Sequence, residues 1–286
     1  MREGLGNIRC LIIVVAFPVG PIKPRMRNFL VDWLIEVHQQ FSLIQETLYL
    51  TVAILDRFLQ EEGASISTKQ LQLVGVTAML VAAKYEEMYP PEVDDFVYIT
   101  DKAYKQSEIL QMEIRILKTL DFDLGRPLPI NFLRRCSKAG LVDGDIHGLA
   151  KYVMELTLVD YKFAHVEPSR VSAASLALSM HLLDPAHPPL RQMWTPTLAH
   201  YTAYGLTDIE ETVRGLAETL LTIHHVQGIN VDFLPASSSS GKKVKAIRAV
   251  SKKYCGKKFA KVATIRSVNG SEGKECLKLI LSGQSI

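Results

Sequence analysis

The chain has 286 residues, of which 48% are hydrophobic and 22% are charged, and its formal net charge is +3 at pH 7. These values are typical of a globular chain long enough for two domains. They exclude a mainly disordered chain, a collagen-like chain, a polytopic membrane protein and a protein that binds polyanions over its whole surface. The four cysteines, Cys10, Cys136, Cys255 and Cys276, form no CxxC pair and are too sparse for a disulfide framework or a zinc site. We therefore expect no metal and no cofactor.

Residues 1–24 form a leader that is punctuated by glycine and proline. Its apolar stretch, residues 10–19, follows Arg2 and Arg9 and has the outline of a secretory signal peptide. The alternative is an apolar segment that packs on the body of the protein or frays. Export would make the chain a secreted helical protein, whereas the sparse cysteines favour a reducing compartment.

Residues 25–123 are dense in the apolar periodicity of helices. Helices are predicted at residues 26–41, 46–59, 71–87, 94–99 and 107–120. The segment 71–87 is apolar nearly all round, which indicates a buried central helix. Its small residues, including Gly75, allow neighbouring helices to approach closely.

Pro127 and Pro129 interrupt this pattern, and we place a linker at residues 124–129. Residues 130–226 again show the apolar periodicity of helices. Helices are predicted at residues 147–160, 168–180, 195–202 and 208–222, of which 168–180 is again rich in small residues. No strand alternation is present, so the sequence predicts an all-α fold of two tandem units with about five helices each.

Residues 227–286 form a basic C-terminal tail, in which the stretch 242–261 is rich in Lys and Arg and has no acid. We interpret it as a solvated helix and loop. The alternative is a patch for nuclear import or for nucleic acid.

The sequence has no GxGxxG, GxxxxGK[ST], HExxH or GxSxG motif, and its histidines are scattered. We therefore assign no catalytic residue and expect an interaction protein rather than an enzyme.

Lys84 and Glu113 stand out because each is a charge on an apolar helix. Such charges are unfavourable unless they are paired. They could pair with each other or extend to solvent, or they could flank an apolar surface and meet the charges of a partner, with Leu117 and Phe122 supplying buried area.

A second candidate is the apolar stripe of the first helix, which contains Met26, Phe29, Leu30 and Trp33 beside Glu36. It is either core or an exposed groove. A groove of this composition, edged by an acid, suits a short peptide with one basic and one apolar residue.

Ordered sequence blocks resemble the mitotic B-type cyclins over residues 25–265. The blocks are residues 26–33, 45–50, 56–59, 71–75, 84–91, 125–135, 149–152, 155–161 and 194–198. The resemblance implies two tandem five-helix cyclin folds, the cyclin boxes, at residues 25–123 and 130–226. It also implies a non-catalytic subunit that binds and activates a mitotic cyclin-dependent kinase at the G2/M transition, in the nucleus and cytoplasm.

In this family the positions of Lys84 and Glu113 hold an invariant pair that contacts the kinase, and Leu117 and Phe122 match its apolar contacts. The resemblance therefore favours the partner over the pairing of these two charges with each other. The stripe of the first helix matches a patch that docks Arg-x-Leu substrates. The residues of this docking patch are Met26, Phe29, Leu30, Trp33, Glu36, Leu71 and Gln72. The sequence departs at Asn28 and Phe29, where Ala-Ile is usual, and a bulkier Phe29 would partly fill the groove.

Arg2, Leu5 and Ile8 fit the destruction box pattern RxxLxxI, an extended peptide that the anaphase-promoting complex reads before ubiquitin-mediated degradation. The alternative to the kinase activator is a tandem cyclin-fold protein of the transcription-factor type. That alternative requires basic residues on the folded repeats, whereas here the tail holds much of the small basic excess.

Overall fold

The computed structural model describes residues 21–227, 248–259, 261–264 and 270–285, and every regular element within them is a helix. The first half contains α1 (Pro24–Gln40), α2 (Gln45–Glu62), α3 (Leu71–Glu86), α4 (Val93–Ile99) and α5 (Gln106–Thr119). The second half contains α6 (Pro129–Ala139), α7 (Gly144–Val159), α8 (Pro168–Leu183), α9 (Leu190–Met193), α10 (Pro196–Thr202) and α11 (Leu206–Gln227). The C-terminal region adds α12 (Arg248–Tyr254) and α13 (Ser271–Ser282), and short 3₁₀ turns lie at Tyr161–Phe163, Lys257–Phe259 and Val262–Thr264.

Helix α3 is the centre of the first half. Every residue from Leu73 to Ala83 is buried, and α1, α2, α4 and α5 pack around it. A Cβ atom added at Gly75 would lie 2.8 Å from the two Cδ atoms of Leu30, so α1 and α3 meet at this position. The prediction of a buried central helix with small residues at its contacts is confirmed.

Helix α8 has the same role in the second half. Its residues from Val171 to Ser179 are all buried, and α6, α7, α9 and α11 pack against it. Pro168 opens the helix, where a missing N–H costs nothing because the first turn has no acceptor for it. The tandem all-α architecture is therefore confirmed in both halves.

Helix α6 was not among the helices predicted from periodicity. Its buried face consists of Ile130, Leu133, Cys136 and Ser137, while Arg134 and Arg135 face outward. These four buried positions recur at the spacing of one helix face, so the signal is present in the sequence and the prediction missed it.

The prediction that the basic tail is solvated is wrong for α12. Lys253 and Tyr254 are buried, because α12 packs on α1 and α7 and both side chains bond to Glu155. The partner of the buried lysine lies 98 residues earlier in the chain, so no local pattern reveals it. The basic residues of the stretch 242–247 lie outside the described residues.

Among the helices that the structure describes, none combines the length and the apolar character needed to cross a membrane.

Candidate functional site

Lys84 and Glu113 meet on the surface of the first half. Lys84 lies in the last turn of α3 and Glu113 in the middle of α5, two helices that pack together. The Lys84 Nζ atom donates to Glu113 Oε1 at 2.7 Å and to Oε2 at 2.9 Å. The lysine side chain is 45% exposed and the glutamate side chain 12% exposed. Two charges 29 residues apart in sequence therefore form one net-neutral pair with its lysine half-exposed, as the first of the two interpretations predicted.

Apolar side chains surround this pair. Helix α5 buries Ile109, Met112 and Ile116 against the core, which leaves Leu110 and Ile114 exposed beside Glu113. Ile114 is 53% exposed. Large apolar groups that remain in water beside a charged pair are typical of a surface that a partner covers.

Leu117 and Phe122, which the sequence analysis selected, lie at the end of the same helix. Leu117 is half-buried against the core, whereas Phe122 is 68% exposed. The backbone at Asp121 and Phe122 is in the left-handed region, with φ of 50° and 57°. Non-glycine residues adopt this region at a cost in free energy, so the turn after α5 holds Phe122 outward under strain.

The end of α3 and the segment after it extend the apolar surface next to Lys84. Tyr85, Met88 and Tyr89 are 56%, 83% and 87% exposed. Sequence reasoning missed these three residues, although they follow Lys84 directly. Glu87 has a different task, because its Oε1 accepts hydrogen bonds from the Ile44 amide and the Thr47 hydroxyl at the start of α2.

The docking patch predicted on the first helix has a buried floor and an exposed rim. Leu30 and Leu71 are buried, Met26, Trp33 and Gln72 are half-buried, and Phe29 and Glu36 are exposed. The structure thus brings α1 and α3 side chains together in this patch. Its interpretation as simple core is wrong for the rim.

Two features of the rim bear on a peptide ligand. The Arg25 guanidinium carbon lies 5.2 Å from the centroid of the Phe29 ring, so the aromatic side chain is held on the helix surface rather than in the floor. Glu36 is exposed and forms no ion pair with any described residue. An exposed carboxylate near half-buried Trp33, with no ion-pair partner among the described residues, has the chemistry to pair with a basic side chain.

Other sequence candidates are not part of these surfaces. Arg2, Leu5 and Ile8 of the predicted destruction box lie outside the described residues, and that assignment stays a prediction. Burial raises the pKa of the Cys136 and Cys255 thiols and raises that of Cys276 to about 11, so these thiols are poor nucleophiles. In the part of the chain that the structure describes, no three His, Cys, Asp or Glu side chains are arranged to hold a metal ion.

Two family models match the chain, one for the cyclin N-terminal domain over residues 16–125 and one for the cyclin C-terminal domain over residues 127–268. Among curated proteins, the G2/mitotic-specific cyclin-B2 of Anguilla japonica is 54% identical over 203 residues, or 71% of this chain and 50% of that protein. The G2/mitotic-specific cyclin-B of Spisula solidissima is 47% identical over 254 residues, or 89% of this chain and 53% of that protein.

Among solved structures, the X-ray structure of a viral cyclin from herpesvirus saimiri matches with a TM-score of 0.61 at 21% identity. The match covers 74% of this chain and 94% of the viral chain. At this identity the likeness supports the fold alone. The chain spans about half the length of the curated relatives described above.

Proposed function

This chain belongs to the cyclin family, and from that membership we propose that it is a regulatory subunit that binds and activates a mitotic cyclin-dependent protein kinase. The relatives named above are both G2/mitotic-specific cyclins of the B type. The observation that carries the proposal is the Lys84–Glu113 pair, whose lysine side chain is 45% exposed and whose glutamate shares α5 with apolar side chains that the helix leaves in water.

The proposed mechanism is conformational rather than catalytic. Family resemblance implies that a cyclin presses on the C-helix of the kinase and reshapes its activation segment. The Lys–Glu ion pair inside the kinase, which phosphoryl transfer requires, then forms. In this chain Ile114, Leu117 and Phe122 would supply buried apolar area, and Lys84 and Glu113 would exchange part of their mutual pairing for charges on the kinase.

A pull-down with a purified mitotic cyclin-dependent kinase, followed by histone phosphorylation, tests this proposal. Wild type is expected to bind and activate, whereas Lys84→Ala combined with Glu113→Ala, or Phe122→Ala alone, is expected to lose both readouts. The control is Arg214→Ala with Glu210→Ala, an ion pair on α11 whose basic side chain is 42% exposed, close to the value for Lys84. If the control and the Lys84/Glu113 variant behave alike, this surface does not bind the kinase. If folded wild type neither binds nor activates, the proposed function itself is wrong.

We also propose that the docking patch on α1 and α3 binds substrate peptides of the Arg-x-Leu type. Glu36 at its rim has no ion-pair partner among the described residues and is available to the arginine. Met26 and Trp33, both half-buried, would contact the leucine.

Fluorescence anisotropy with a labelled Arg-x-Leu peptide tests this second role. Glu36→Gln is expected to weaken binding about tenfold, because a charge-assisted hydrogen bond contributes roughly 1.5 kcal/mol or more. Glu211→Gln, which changes an exposed acid on α11, is the control. Equal affinities for the two variants would contradict docking at Glu36.

The alternative of a tandem cyclin-fold transcription factor is not favoured, because the relatives described above are mitotic cyclins. Recognition by the anaphase-promoting complex and a nuclear and cytoplasmic location stay predictions.

A further inference from the structure

A cleft of about 660 Å³ lies in the second half, between α6 and α10. All of its lining residues belong to the second half. They are Arg134, Arg135, Lys138, Ala139, Leu141, Thr197 and Tyr201.

The lining carries three cations and no acid. Arg134 is already engaged, because its guanidinium donates to Glu46 of α2. Arg135 and Lys138 are exposed, and they lie three residues apart on one face of α6. The Lys138 side chain forms no hydrogen bond or ion pair with any other described residue. Its place in the last turn of α6 is favourable to the helix dipole, but this does not explain Arg135.

Apolar groups complete the cleft. Tyr201 on α10 is 48% exposed, and the Arg135 guanidinium carbon lies 5.6 Å from the centroid of its ring. Leu141, in the turn after α6, is 91% exposed and has a left-handed φ of 50°. A leucine in this conformation, almost fully in water, is unfavourable on both counts for the isolated chain. Contact with an apolar group of a ligand would offset the cost of exposing the Leu141 side chain to water.

We propose that this cleft is a docking site for an acidic peptide that carries a large apolar side chain. Carboxylates of the peptide would pair with Arg135 and Lys138, and the apolar side chain would lie against Tyr201 and Leu141. Charge complementarity selects this occupant, since the cleft has two available cations and no competing acid. A nucleic acid fits less well, because Ala139, Leu141 and the Tyr201 ring, three of the seven lining residues, offer little to a phosphate backbone.

The test is anisotropy with the full chain and a labelled peptide that alternates glutamate and leucine. We expect saturable binding that weakens with salt, and no binding of the peptide in which glutamine replaces glutamate. Arg135→Glu with Lys138→Glu is expected to weaken binding by about tenfold or more, and Tyr201→Ala by several-fold.

The control variant is Arg191→Glu with Lys278→Glu, which makes the same change in net charge at exposed residues of α9 and α13. Equal weakening by both double variants would show non-specific attraction and overturn the proposal, as would equal binding of the glutamate and glutamine peptides. A single-stranded oligonucleotide that binds more tightly than the peptide, and whose binding is lost in Arg135→Glu/Lys138→Glu, would overturn the proposal and identify the occupant as a nucleic acid. Thermal unfolding of each variant separates lost binding from lost folding.

Discussion

Arg27 and Asp56 form a buried, bidentate ion pair, in which the arginine Nε and Nη2 atoms donate to the two carboxylate oxygens at 2.9 and 2.7 Å. The arginine side chain is 1% exposed and the aspartate 5% exposed. The same guanidinium also donates to the carbonyl oxygens of Leu158 and Val159 at the end of α7. One side chain on α1 therefore joins α2 of the first half to α7 of the second.

Removing one partner of this pair is expected to destabilise the protein strongly. Arg27→Met leaves the buried Asp56 carboxylate without its bidentate cation and removes the Arg27 donors from two carbonyls, which should lower the free energy of unfolding by about 3–5 kcal/mol. Urea unfolding measures this value. The comparison is Asp123→Ala, which breaks the pair with Arg57 where the acid is 64% exposed, and which should cost below about 1 kcal/mol. Similar losses in the two variants would contradict the role given to Arg27.

The second buried pair, Lys253 with Glu155, attaches α12 to α7. The Lys253 Nζ atom lies 2.6 Å from Glu155 Oε1, and the two side chains are 1% and 0% exposed. Lys253→Met leaves the Glu155 charge buried, so we expect a loss of about 3–5 kcal/mol, of which Glu155→Gln in the same chain should recover a part. Lys252→Met, an exposed neighbour, is the control and should be nearly neutral. No recovery in the double variant would mean that the packing of α12, rather than the buried charge, accounts for the loss.

These two pairs mark the limit of what the sequence reveals. The buried helices α3 and α8 were predicted, because runs of small and apolar residues are a local signal. The partners of Arg27 and Lys253 were not predicted. Ion pairs between helices depend on tertiary packing and produce no periodic pattern in the sequence. Helix α13 was not predicted either, because the charged composition of the tail does not indicate a helix that packs on α11.

For the candidate site, the sequence selected Lys84 and Glu113 because a charge on an apolar helix needs a partner. It missed the exposed Leu110 and Ile114. Periodicity identifies an apolar residue but does not show whether the protein's own core covers it. The left-handed turn that exposes Phe122 was likewise invisible, since neither glycine nor asparagine marks it.

Stability should fall as the pH drops below about 6.5, in part because of His38. This side chain is buried, and burial, reinforced by the charge of Lys253, lowers its pKa from 6.5 to about 4, although the nearby Glu155 and Glu87 act in the opposite direction. The unfolded chain then binds more protons than the folded chain between pH 6.5 and about 4, so folding free energy is lost as the pH falls through this window. The difference corresponds to roughly 3 kcal/mol.

Urea unfolding of wild type and His38→Gln across this pH range tests the assignment. The free energy of unfolding of the variant should depend less steeply on pH. Burial also lowers the pKa values of His147 and His181, but these two residues contribute equally to both proteins. Parallel curves for the two proteins would show that His38 does not titrate in this window.

The Lys84–Glu113 pair should contribute little to stability. Because the lysine is 45% exposed, Lys84→Ala is expected to change the free energy of unfolding by less than about 1 kcal/mol. Thermal and urea unfolding check this. A loss as large as that of Arg27→Met would make the pair a structural element and would weaken its assignment to a binding surface.

Gly75 controls the floor of the docking patch. Gly75→Ala places a Cβ atom 2.8 Å from both Cδ atoms of Leu30, so α1 and α3 must separate or the buried Leu30 must shift. Overpacking of this kind costs about 1–3 kcal/mol, and the higher helix propensity of alanine offsets about 1 kcal/mol of it. We expect a small net loss of stability together with weaker binding of an Arg-x-Leu peptide, measured by unfolding and anisotropy. Gly144→Ala, in the first turn of α7 with no neighbouring side chain within 4 Å of the added Cβ, should leave the peptide affinity unchanged and raise stability slightly through its helix propensity. Unaltered peptide affinity in Gly75→Ala would place the ligand away from Leu30.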